Sequence, residues 1–130
     1  MNFNSDFRYD LEIGQIYEKQ LNDLFGKKIE VKRDFRCLET GNIFIEYESR
    51  NKKSGIATTE ADYWCYWLSN EHCIFIKTSR LKEMCRIYIG TNRDVLGGDL
   101  NTSKGILLPT IDLLKKIKDA QKINVYKKNT

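Results

Sequence analysis

The spacing of apolar residues changes near residue 27, and that change limits what this chain can fold into. Leu11, Ile13, Ile16, Tyr17, Leu21, Leu24 and Phe25 recur at near-helical intervals and Gly26 stops the run. Residues 6–25 are therefore expected to form a helix. From residue 28 the period drops to two. In KIEVKRDFR (28–36), Ile29, Val31 and Arg33 fall on one side of a strand, and Glu30, Lys32 and Asp34 on the other. IFIEYES (43–49) repeats the alternation, with Thr40-Gly41-Asn42 as turn residues before it. The two segments are expected to pair as an antiparallel hairpin.

Further on, Thr58 or Thr59 is placed to cap a helix reaching about Ser69, and CIFIK (73–77) reads as a buried strand. A short helix over LKEMCR, a strand fragment at Tyr88-Ile89, an irregular stretch over 91–104 and a strand over 106–108 follow. Pro109 then suits the first turn of a last helix, about 110–120. This order predicts an α/β or α+β fold, with a central mixed β-sheet flanked by helices. With one proline, no Gly/Ser-rich linker and no internal repeat, the 130 residues are expected to form a single domain, 1–130, with a basic C-terminal helix and tail from about 109.

Several function classes are disfavoured at this stage. No apolar run approaches the roughly 20 residues of a membrane helix, and the N-terminus lacks the basic start and apolar stretch of a signal peptide. The expectation is a cytoplasmic protein, bacterial or phage-encoded, with no membrane partner. Cys37, Cys65, Cys73 and Cys85 lack CxxC spacing and sit among apolar neighbours, as free core thiols do. His72 is the sole histidine, so a Ser-His-Asp or Cys-His enzyme would rest on that one residue. From Lys104 onward seven lysines face two aspartates, a local charge of +5, while the remainder, with 15 basic and 16 acidic residues, is −1. Such a segment is either a phosphate-contacting surface or a solvated face.

The chemistry-bearing residues are acidic. Glu46 and Glu48 are two apart on one expected strand, which would project both from the same face. The hairpin would bring Asp34 beside them. Three crowded carboxylates repel one another, and a hard cation relieves that repulsion. Mg²⁺ takes oxygen ligands and keeps several waters, so two or three carboxylates suffice. A solvent face on an edge strand would carry the same Glu-x-Glu pattern, so periodicity alone leaves both readings open.

These residues resemble the PD-(D/E)XK nuclease superfamily, in a small phage or bacterial form. That family often carries a glutamate on the first helix, an aspartate opening the motif, and (D/E)-x-K on the next strand. The corresponding residues here are Glu18 in GQIYE, Asp34 in VKRDF, and Glu46-Tyr47-Glu48 in GNIFIEYES; SGIATTEADYW (54–64) adds to the likeness, which spans roughly residues 6–112. Arg33 replaces the proline of the pattern, and Glu48 stands where lysine is usual. The segment Glu30-Val31-Lys32 is itself a Glu-x-Lys, ranked below Glu46-Tyr47-Glu48 because no acid stands on an earlier strand.

The resemblance implies a restriction-endonuclease-like core and a Mg²⁺-dependent endonuclease acting on DNA, with Mn²⁺ able to substitute. Asp34, Glu46 and the Tyr47 carbonyl would hold the metal, Glu18 would be an outer or second-metal ligand, and Lys32 or Glu48 would position the attacking water. Thr58, Thr59 and Asp62 would support the site. Arg50, Lys52 and Lys53, with Lys115, Lys116 and Lys118, would meet the DNA backbone. A homodimer would allow cuts in both strands, although no interface is readable from sequence. The rival expectation is a non-catalytic nucleic-acid-binding or protein-interaction module on the same fold. The geometric expectation is sharp: Asp34, Glu46 and Glu48 cluster at one sheet end with Glu18 facing them.

Overall fold

The computed structural model describes residues 3–115. The chain opens with helix α1 (Phe3–Phe25), followed by strand β1 (Ile29–Arg33), a single helical turn α2 (Cys37–Thr40), β2 (Asn42–Ser49) and the short β3 (Lys52–Lys53). A 3₁₀ turn at Gly55–Ala57 leads to β4 (Tyr63–Trp67), β5 (Cys73–Lys77) and helix α3 (Thr78–Arg86). β6 (Asp94–Gly97), β7 (Ser103–Pro109) and a 3₁₀ turn at Thr110–Leu114 complete the described chain.

Helices and strands combine in an α+β architecture, as expected, and one sheet is mixed. The strands divide into two sheets, however. In the three-stranded sheet β1 runs parallel to the central β4, and β5 runs antiparallel to it. The four-stranded sheet is antiparallel, in the order β3-β2-β7-β6. The core lies where they meet: Ile43 and Ile45 of β2, Ile106 and Leu108 of β7, Trp64 and Tyr66 of β4, and Leu81, Met84 and Cys85 of α3. The Trp64 and Tyr66 rings stack at 6.0 Å with an interplanar angle of 28°. Truncating Trp64, 1% exposed, would cost about 3–5 kcal/mol.

The expected hairpin between β1 and β2 does not form. Residues 37–40 wind into α2, and Gly41 ends it in the left-handed region at φ 72°. The link is thus a capped helical turn that releases the two strands to different partners. β1 registers against β4 from Ile29↔Tyr63 to Arg33↔Trp67, and β2 against β7 from Asn42↔Pro109 to Ser49↔Ser103.

The helix expected from Thr58/Thr59 to Ser69 is instead β4 and its turn into β5. Tyr63, Trp64, Tyr66 and Trp67 suit a pleated surface better than a helix, and Trp64, Cys65 and Tyr66 are all buried in this central strand. Thr59 therefore caps no helix; its Oγ1 accepts the Ala61 N–H at 3.2 Å.

Tyr88-Ile89 lies in a turn closed by Tyr88 N–H to Cys85 O at 3.0 Å, and β6 occupies the stretch expected to be irregular. The expected last helix appears, in its described part, as the 3₁₀ turn Thr110–Leu114. Its continuation, including Lys116 and Lys118, lies outside the described residues.

α1 matches expectation in type and end point but hardly packs. Among its described side chains Leu24 alone is buried, and Phe25 meets Phe75 edge-on with centroids 5.9 Å apart. Leu11, Ile16, Tyr17 and Leu21 are each at least half exposed. None of the described helices is long and apolar enough to cross a membrane.

Candidate active site

β1 turns Glu30 and Lys32 to the same face as Trp64 and Tyr66, their partners on β4. This is the alternation read from KIEVKRDFR, with Glu30 half-buried and Lys32 exposed. The Lys32 Nζ lies 5.6 Å from the Trp64 ring centroid, a cation–π contact that biases the ammonium position. β2 supplies Glu46. Lys28, Ile29, Glu30, Lys32, Glu46, Gly55, Thr58, Thr59, Glu60 and Ala61 together line an open cavity of about 460 Å³.

Two features hold Glu46 in place. Ser54 Oγ donates to its Oε2 at 2.9 Å. Gly55, at φ 53°, lies so close that an added Cβ would sit 2.2 Å from the Glu46 carbonyl oxygen. The far wall is pinned by Asp62, whose Oδ2 accepts the Lys28 N–H at 3.2 Å while its own N–H donates to Lys28 O at 2.8 Å. At the rim Lys28 and Glu60 form an exposed ion pair at 3.4 Å, worth no more than about 1 kcal/mol.

The expected triad of carboxylates is not assembled. Asp34 follows β1 of one sheet and Glu46 lies on β2 of the other, and the Asp34 Oδ2 accepts the Phe44 N–H at 3.3 Å, tying the end of β1 to the start of β2. That negative charge, after burial, helps push the Cys37 thiol up. Glu46 and Glu48 do not share a face either. The ladder slips at Tyr47, so Glu46 pairs with Gly105 and Glu48 with Lys104, adjacent residues of β7 that project oppositely. Glu48 is bound to Lys104 Nζ at 3.4 Å. The Tyr47 carbonyl accepts the Ser54 N–H at 3.0 Å. Glu18 is exposed on α1 and makes no side-chain hydrogen bond or ion pair among the described residues.

Sequence reasoning passed over Glu30 because it required an acidic partner from an earlier strand. In the structure an acid of the following strand, Glu46, lines the same cavity as Glu30 and Lys32. The readable signal was that Glu30 and Lys32 share one face of an alternating strand.

Among the proposed phosphate contacts, Arg50 and Asn51 form a tight turn with φ of 50° and 66°, and Lys52 and Lys53 are exposed beside it on β3. Lys115 pairs with Asp112 at 3.2 Å.

Among the described residues no three His, Cys, Asp or Glu side chains form a metal cage. Mg²⁺, however, is commonly held by one or two carboxylates, substrate phosphate and retained waters. Glu30 and Glu46 in an open polar cavity fit that requirement. All four cysteines are free, and burial pushes the Cys85 thiol up to about 12.

Beside Glu46, Tyr47 turns its hydroxyl to Asp94 Oδ1 at 2.6 Å, and this bond, with burial, raises Tyr47 to about 12. The neutral phenol is the form favoured by folding. Its stabilisation is complete below the unfolded value near 10 and is lost as pH rises through about 12. Urea unfolding from pH 9 to 12 should show the stability gap between the parent and Tyr47→Phe closing across that window; a constant gap would refute the assignment.

Comparison with protein-family models, with curated proteins and with solved structures returns no match for this chain. Its chemistry must be argued from its own geometry.

Proposed function

We propose that the protein is a metal-dependent endonuclease that hydrolyses DNA phosphodiester bonds in the Glu30–Lys32–Glu46 cavity, on a restriction-endonuclease-like core. One observation carries this reading: Glu30 and Lys32 of β1 and Glu46 of β2 line the same open polar cavity. Glu30-Val31-Lys32 takes the place given above to Glu46-Tyr47-Glu48, and Glu46 becomes the partner acid. This reverses the chain order of acid and Glu-x-Lys that the resemblance implies.

Glu30 and Glu46 would hold Mg²⁺, or Mn²⁺, between them, with Ser54 fixing the Glu46 carboxylate. Bound there, the ion supplies charge for the phosphate oxygens and acidifies water. The Lys32 ammonium offsets charge gathering on the phosphate as the bond breaks. Thr58 and Thr59 present hydroxyls at the rim that can donate to phosphate oxygens. Arg50, Lys52 and Lys53 offer sequence-independent backbone contacts.

The test is incubation of purified protein with linear, nicked, branched and single-stranded DNA, with Mg²⁺, Mn²⁺ or chelator. Cleavage of at least one substrate is expected, dependent on metal, together with a metal-dependent rise in melting temperature. Intact DNA in every condition with either metal would overturn the reading. It would favour the second one, a protein-interaction module, for which the uncovered apolar stripe of α1 speaks.

A further inference from the structure

The Gly55–Ala57 turn separates two cavities. Gly55 faces the acidic one, while Ile56 and Ala57 help line a second, of about 270 Å³, with Tyr47, Lys82, Cys85, Arg86, Ile89 and Ile106. We propose that this second cavity binds one nucleotide of the DNA strand beside the scissile phosphate, the base in the slot and its phosphate on Lys82 and Arg86. The choice of a nucleotide as ligand rests on the nuclease reading above.

The chemistry of the lining argues for such a ligand. The inner wall is apolar: Ile56, Ile106 and Cys85 are buried, and Ile89, 59% exposed, lies at the edge. The Tyr47 hydroxyl is already committed to Asp94, so its ring offers the cavity mostly apolar surface. Tyr47 is the one aromatic residue of this lining, and base stacking on an aromatic ring tolerates any sequence, because every base has a π-face. The volume falls just below the range of drug-sized pockets, which suits a single base.

Charge supplies the second half of the argument. Lys82 and Arg86 stand four apart on α3, hence one above the other on the same helix face. Neither makes an ion pair or side-chain hydrogen bond among the described residues, unlike Lys28, Lys104 and Lys115. Two unpaired cations beside an apolar slot match a base with a phosphate attached. Continuity supplies the third: Glu46 and Tyr47 are consecutive on β2 and line the two cavities in turn. A strand crossing the turn can therefore occupy both.

The test is a metal-free titration of the full chain with deoxyadenosine monophosphate, with deoxyadenosine and inorganic phosphate as separate probes, followed by methyl and amide NMR. Shifts are expected at Ile56, Ala57 and Ile89, strongest for the monophosphate. Lys82→Ala with Arg86→Ala should weaken its binding by roughly tenfold or more, the loss of charged hydrogen bonds. No shift at these residues with millimolar monophosphate, or unchanged affinity in the double variant, would overturn the proposal. The titration reads binding alone. A chain that binds the nucleotide here yet cuts no DNA keeps this site and loses the nuclease reading, whereas one that cuts without binding loses this site only.

Discussion

Glu46→Gln is expected to lower metal-dependent DNA cleavage by on the order of 10²–10⁴-fold. The amide keeps the shape of the carboxylate and still offers an oxygen to Ser54 Oγ, which now bonds Glu46 at 2.9 Å. The fold should therefore survive, and metal-free stability should stay near that of the parent. Glu30→Gln should behave alike, because both acids line the same cavity. Asp34→Asn should differ: its carboxylate accepts a backbone N–H from Phe44, so its loss falls mainly on stability. Single-turnover cleavage with purified variants, checked by circular dichroism, separates these cases. Parental rates in both Glu46→Gln and Glu30→Gln would remove this cavity as the catalytic centre.

The second large effect concerns the backbone between the two cavities. Gly55→Ala should destabilise the protein by about 3 kcal/mol or more, since a left-handed backbone and a clash with a rigid carbonyl combine. The φ of 53° costs an L-residue something anywhere, and here the new Cβ would also lie 2.2 Å from the Glu46 oxygen. Gly41→Ala is the control. Its φ is 72°, but nothing lies within 4 Å of its added Cβ, so only the conformational cost of about 1–2 kcal/mol applies. Urea unfolding of both variants decides the matter; equal losses would show that the close approach at Gly55 relaxes freely.

Local pattern and long-range pairing were unequally readable. α1, β5, α3 and β7 follow from periodicity and their flanking residues, because those signals are carried by neighbours in the chain. The two faces of β1 were equally plain, with Glu30 and Lys32 opposite Ile29 and Val31. What β1 pairs with was not. Its parallel partner β4 lies some thirty residues on, and nothing in Ile29–Arg33 names it. The aromatic run of β4 obscured the matter further, since Tyr63, Trp64, Tyr66 and Trp67 populate every side of a helical projection while satisfying a strand buried on both faces. With the hairpin wrongly closed, Asp34 took the place beside Glu46 that Glu30 and Lys32 hold. The candidate site is thus half legible in the sequence, whose pattern points to Lys32, Glu46, Thr58 and Thr59 but not to Glu30.

The slip at Tyr47 bears on which changes of chain length this strand can accept. Deleting one residue between Glu46 and Glu48 would restore an unbroken ladder with β7. Glu46 would stay opposite Gly105 and Glu48 opposite Lys104, so both acids would keep their faces. What would be lost is Tyr47 itself, whose carbonyl accepts the Ser54 N–H at 3.0 Å and whose hydroxyl bonds Asp94, so the following turn would lose a tie to the strand that sets it between the two cavities. Side-chain substitutions here act one residue at a time, but an insertion or deletion acts on the whole arrangement. In any set of natural or designed variants, the segment from Glu46 to Gly55 should vary in letters long before it varies in length.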